Sequence, residues 1–127
     1  MYLDKLFDWN SKAWSFAFLR LLTKNNLNFK NKLILEIGAT SKSSVGMFFC
    51  ENNKLILSSN NLEEIILMKK IYKSNNVDVL QLDLLNLVGQ YDLIIMKSVI
   101  GGLCRKNGEI KANQILKKIE ENNLKEG

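Results

Sequence analysis

The stretch Leu33–Gly46, LILEIGATSKSSVG, decides how the chain is read. Its first five residues are apolar except for Glu36, too continuously so for a strand with one wet face. LILEI therefore reads as a buried strand of a parallel sheet. A polar loop follows, and Val45, Phe48 and Phe49 then supply a short helical stripe. Strand, loop and helix in that order open an α/β domain.

Outward from this stretch the rhythm repeats. Lys54–Ser58 (KLILS) reads as a second strand, and Asn61-x-x-Glu64 has the spacing of a capping box. That box opens a helix carrying Leu62, Ile65, Ile66, Met68 and Tyr72. Val77–Leu82 (VDVLQL) and Tyr91–Met96 (YDLIIM) are the third and fourth strands, joined by a connection, Leu84–Gln90, too short for a full helix. Gly101-Gly102 reads as a turn with φ > 0 or a close backbone contact. Ala112, Ile115, Leu116 and Ile119 then mark a last helix. Upstream, residues 11–24 place Trp14, Ala17, Phe18, Leu21 and Leu22 at helical spacing behind a cap at Asn10 or Ser11.

The expected architecture is one domain, with an N-terminal helical segment over 1–31 and an α/β half over 32–127. Strands alternating with helices or longer connections predict a Rossmann-like three-layer α/β sandwich with a mostly parallel sheet of about four strands. Right-handed crossovers favour the strand order 3-2-1-4, with a ligand crevice at the carboxyl ends of strands 1 and 4.

Composition narrows the function. The chain has 127 residues, 46% of them hydrophobic and 24% charged, which is ordinary for a globular domain. Its net charge is +5, but all its cations except Arg20 and Arg105 are scattered lysines. Few groups can read bases bidentately, so a nucleic-acid platform is not expected. Histidine is absent, which removes the commonest general base and the usual catalytic triads. Cys50 and Cys104 form no CxxC pair, so no metal site is expected and the thiols read as buried and inert. The acidic opening MYLDKLFDW does not read as a secretory leader, and no apolar run approaches the ~20 residues of a membrane span. The expectation is a soluble, cytoplasmic protein.

Two familiar phosphate loops fail on spacing. A Walker A loop needs Gly directly before Lys-Ser, whereas Lys42-Ser43 follows Ser41. A dinucleotide loop needs G-x-G-x-x-G, whereas Gly38 is followed by Thr40 and Ser43 at the other two positions.

Taken together, LILEIGA, LILSSN, VDVLQLDL and YDLIIMKSVIGG, in that order, resemble the class I S-adenosylmethionine-dependent methyltransferases from about Leu33 to Gly127. The resemblance implies S-adenosylmethionine as cofactor and assigns roles by position. Glu36, ending strand 1, would hold the methionine end. Gly38 would let the cofactor approach the backbone, with Thr40 and Lys42 standing where later glycines fall. Asn60, or Glu63 as a weaker choice, would replace the acid that accepts the ribose hydroxyls. Asp83 would contact the adenine amino group, and Lys97 and Ser98 would lie near the methyl group. Plainer readings stay open beside these: Glu36 as a cap for the following helix, Asp83 as a turn residue, Lys97 as a solvated loop cation. Asp92 reads as structural.

The resemblance also implies a truncated domain, since the family's sheet has seven strands and the chain ends after the fourth strand and its helix. YDLIIM would then be an unprotected sheet edge, predicting self-association, a partner chain or marginal stability. If active, the protein would move a methyl group to an O or N acceptor. The alternatives are a non-catalytic Rossmann-like fragment with a structural or regulatory role, and an NAD-linked reductase with a degenerate loop.

Overall fold

The computed structural model describes residues 9–25, 30–96 and 99–125. Four strands, β1 (Leu33–Ile37), β2 (Lys54–Ser59), β3 (Val77–Gln81) and β4 (Leu93–Ile95), form one sheet in the order β3-β2-β1-β4. Every pair is parallel, with Leu35 of β1 set against Ile56 on one side and Ile94 on the other. The helices are α1 (Trp9–Lys24), α2 (Leu62–Ile71), α3 (Val99–Asn107) and α4 (Glu109–Asn123), with 3-10 turns at Gly46–Phe49 and Leu84–Asn86. The strand order is the one the sequence predicts.

The central position of β1 explains its unbroken hydrophobicity. Successive side chains point to opposite faces. Ile34 joins Leu55, Leu57, Val77 and Val79 beneath Ile65 and Met68 of α2. Leu35 and Ile37 enter a second cluster on the other face with Ile94, Leu82, Leu84 and Val99. Ile34, Leu35, Leu55, Leu57 and Met68 are fully buried, each contributing about 1.5–3 kcal/mol relative to exposure. On the first face α1 adds Phe18, whose ring meets Phe49 edge-on at 5.4 Å.

Helix α2 starts as its sequence predicts. Asn61 Oδ1 accepts from the N–H groups of Glu63 and Glu64, satisfying two donors that the first turn leaves free. The box is not reciprocal, however. Glu64 turns instead to the loop after β1, where its Oε2 accepts from the Ser41 N–H at 2.8 Å.

Two expectations are revised. Gly101 and Gly102 lie inside helix α3, and the left-handed glycine of this region is Gly108 (φ 81°), which separates α3 from α4. The edge of β4 is also not wholly bare. Tyr91 N–H donates to Asn123 O at 2.8 Å, and Lys125 N–H donates to Tyr91 O at 2.9 Å, a parallel bridge that begins beyond α4. Tyr91 thus directs its backbone groups away from β1; within β4 it is Ile94, set against Leu35, that turns outward, because the even residues of β1 bond β2 and leave Leu35 to face β4. Among the described residues, no helix is long and apolar enough to cross a membrane.

Candidate functional site

The loop after β1 is held from beneath. Glu36 is almost wholly buried, and a buried acid is costly unless its oxygens are satisfied. Its Oε1 accepts from Ser44 Oγ at 2.6 Å and from the Gly46 N–H at 2.7 Å, and its Oε2 accepts from the Val45 N–H at 3.2 Å. Ser44 Oγ in turn accepts from the Met47 N–H. Glu36 therefore caps the 3-10 turn Gly46–Phe49, which lacks a side-chain cap at Val45. Gly46 makes the approach possible: a Cβ there would stand 2.9 Å from Glu36 Oε1 and 2.7 Å from Leu55 Cδ1.

The tip of the loop is fixed as well. Thr40 and Ser43 exchange backbone hydrogen bonds around a tight turn. The Tyr72 hydroxyl lies 3.0 Å from Thr40 O and 2.8 Å from Ser41 O. Burial, then the nearby negative charges of Glu36 and Glu64, push the Tyr72 phenol far above its ordinary range. It therefore acts as a neutral donor. Lys42 is exposed.

A cavity of about 260 Å³ opens at the carboxyl ends of β1, β2 and β3. Gly38, Asn60 and Asp83 border it, as do Ile37, Leu82, Leu84 and Leu85. Helix α3 closes another side through Val99, Gly102, Leu103, Lys106 and Asn107. Those five positions are spaced i, i+3, i+4, i+7 and i+8, one face of a helix. The walls are apolar, with amides and two charged groups between them. Such lining suits a flat heterocycle bearing polar substituents, although the volume falls just short of the roughly 300–1,000 Å³ of typical small-molecule sites. A larger, shallow depression of about 610 Å³ lies between α2 and β3, lined by Lys69, Lys73 and Asp78, away from the strand ends.

Of the five cofactor positions expected from sequence, three, Gly38, Asn60 and Asp83, come together around this cavity. Gly38 has φ 77°, and a Cβ there would stand 2.7 Å from Val99 Cγ2. Asp83 accepts from the Leu85 N–H and from Asn86 Nδ2, so it is also the turn residue of the plainer reading. Glu36 does not border the cavity, and its oxygens serve the loop. Lys97, with Ser98, lies outside the described residues. Thr40, Lys42 and Glu63 do not border the cavity either.

The sequence reading missed Val99, Lys106 and Asn107, although their helical spacing was available. The Gly101-Gly102 pair lowers helix propensity by about 1 kcal/mol per residue and hides it. It also missed Ser44, Gly46 and Glu64, whose importance lies in partners distant in sequence. Asp92, at the opposite end of the sheet, accepts from the Leu33 N–H at 2.8 Å and lies 3.7 Å from Lys125 Nζ. Among the described residues, no group of three acids or thiols stands together as a metal site. Cys50 and Cys104 are free thiols, and burial pushes Cys50 above its ordinary range.

The sequence matches no protein-family model and no curated protein. Its fold is nevertheless similar to solved structures. One is coclaurine N-methyltransferase bound to N-methylheliamine and SAH, with a TM-score of 0.59 at 18% identity over 89% of this chain and 34% of that one. A second is the YcgJ protein of Bacillus subtilis, at 0.56 and 17% over 77% and 43%. A third is a TehB-like SAM-dependent methyltransferase from Corynebacterium glutamicum, at 0.53 and 14% over 84% and 65%. The chain spans about a third to two-thirds of the length of these proteins. At such identities the likeness is one of fold: the chain has the Rossmann-like architecture of class I S-adenosylmethionine-dependent methyltransferases.

Proposed function

We propose that the cavity at the carboxyl ends of β1–β3 binds the nucleoside part of S-adenosylmethionine, and that the protein is a methyltransferase-like binding domain. The observation that carries this reading is the convergence of Gly38, Asn60 and Asp83 on one apolar-walled cavity. Asn60 follows β2 with its side chain free of hydrogen bonds among the described residues, so its amide can meet a ribose diol. Asp83 keeps acceptor capacity beyond its two local bonds and can accept a hydrogen bond from the amino group of an adenine ring. Leu82, Leu84, Leu85 and Leu103 supply apolar surface for the ring faces. These residues fit the nucleoside portion.

When bound, the cofactor supplies an electrophilic methyl group on a sulfonium. The chain's own contribution is orientation, since in-line transfer is chiefly a positioning problem worth several kcal/mol. Transfer to an O or N acceptor is the activity this reading implies.

A second reading, binding or scaffolding without catalysis, is favoured by two contacts. The Glu36 oxygens are engaged within the loop, and Val99 rests on Gly38. Calorimetric titration with S-adenosylmethionine, S-adenosylhomocysteine and NAD separates the possibilities. Saturable binding of the first two supports the proposal. Binding of none by folded protein favours the scaffold, and binding of NAD alone overturns the cofactor assignment.

A further inference from the structure

Two charged side chains border the cavity, Asp83 and Lys106, and they are not equivalent. Asp83 holds the turn that follows it, with Oδ1 accepting from the Leu85 N–H and Oδ2 from Asn86 Nδ2. The side chain of Lys106 makes no ion pair or hydrogen bond among the described residues. It reaches the cavity on the same stripe of α3 as Val99, Gly102 and Leu103. Val99 sits over Gly38 at the β1 end, so Lys106, seven residues further on, stands about 10 Å along the helix axis from it. The residue that follows β2 at the cavity wall is a neutral amide, Asn60. A carboxylate at such a position accepts ribose hydroxyls and repels a phosphate, while a nearby cation accommodates one.

We propose that Lys106, with Asn60 uncharged, makes this cavity select adenosine derivatives carrying an anionic group over the uncharged nucleoside. The shared chemistry is an adenosine bearing a phosphate on its ribose or a carboxylate on a 5′ tail. The inference rests on the nucleoside reading of the cavity. Lys106 is exposed at the rim of the cavity, where a lysine acts as a compact point charge with three rotatable donors whose attraction weakens as salt rises. Bonds to charged groups exceed neutral ones, so the anionic ligand gains about tenfold or more in affinity.

The test is calorimetric titration of the full chain with adenosine, adenosine 2′-monophosphate and S-adenosylhomocysteine. It uses the wild type, Lys106→Met, Lys106→Arg and, as a surface-charge control on α2, Lys70→Met. The wild type should bind at least one of the two anionic ligands about tenfold more tightly than adenosine. Which one it prefers tells the phosphate source from the carboxylate source. Lys106→Met should bring that ligand to the level of adenosine without changing adenosine itself. Lys106→Arg should keep the preference, and Lys70→Met should leave it intact. Equal affinity for all three ligands in the wild type overturns the inference while the nucleoside reading stands. So does an equal loss in Lys70→Met, or a loss of adenosine binding together with the anions in Lys106→Met. If no nucleoside binds the wild type, the nucleoside reading itself fails, and the inference with it.

Discussion

Glu36 shows how one residue can carry a motif's appearance while doing local work. It sits at the fourth position of the central strand, where an acid is conspicuous in sequence, yet its oxygens collect donors from Ser44, Val45 and Gly46. Glu36→Gln keeps the shape but sets an NH₂ against these donors, and urea unfolding should show a loss of about 1–3 kcal/mol. An unchanged midpoint would remove the capping role. Asp92 gives a pH signature. The Leu33 N–H holds its carboxyl below the ordinary carboxylate range against the opposing effect of burial, and the positive charges of Lys125 and Lys32 add smaller lowering effects. With the folded pKa below the unfolded one, this stabilisation is present above the unfolded value and is lost as pH falls through the folded one. Asp92→Ala should therefore lower the melting temperature at neutral pH, with the gap to wild type closing in the acidic range. A gap independent of pH would contradict this.

At the scale of elements, the strands were legible because burial on both faces leaves an unbroken apolar run, as in Leu33–Ile37. Helix α2 was legible because Asn61 and the stripe through Ile65 and Met68 agree. Helix α3 was not, since a Gly-Gly pair argues locally for a turn, and packing of its apolar stripe against the crevice outweighs that preference. The cavity was half legible for the same reason: strand ends supplied Gly38, Asn60 and Asp83, while the helical wall escaped. Gly38 joins the two halves. Gly38→Ala should destabilise the fold by about 1–2 kcal/mol, because φ is positive and the new Cβ meets Val99. Thermal denaturation measures it, and a neutral result would mean that α3 packs more loosely over β1.

For the whole molecule, the sheet is asymmetric in its protection. Among the described residues β4 pairs only with β1, and a bridge from Tyr91 to Leu124 lies just ahead of it. The outward backbone groups of Ile94 have no partner among the described residues, and an exposed edge is a template for another strand. Concentration-dependent association in light scattering is the expected outcome, and a monomer across the whole range would show that the edge is protected. The central claim concerns the carboxyl rim of the sheet, the proposed binding site, where three strand ends and α3 enclose one cavity. Hydrogen exchange with and without S-adenosylhomocysteine tests it most directly. Slowed exchange confined to residues 37–39, 59–60, 82–85 and α3 is the predicted result, and slowing at the α2–β3 depression instead, or nowhere, would contradict it.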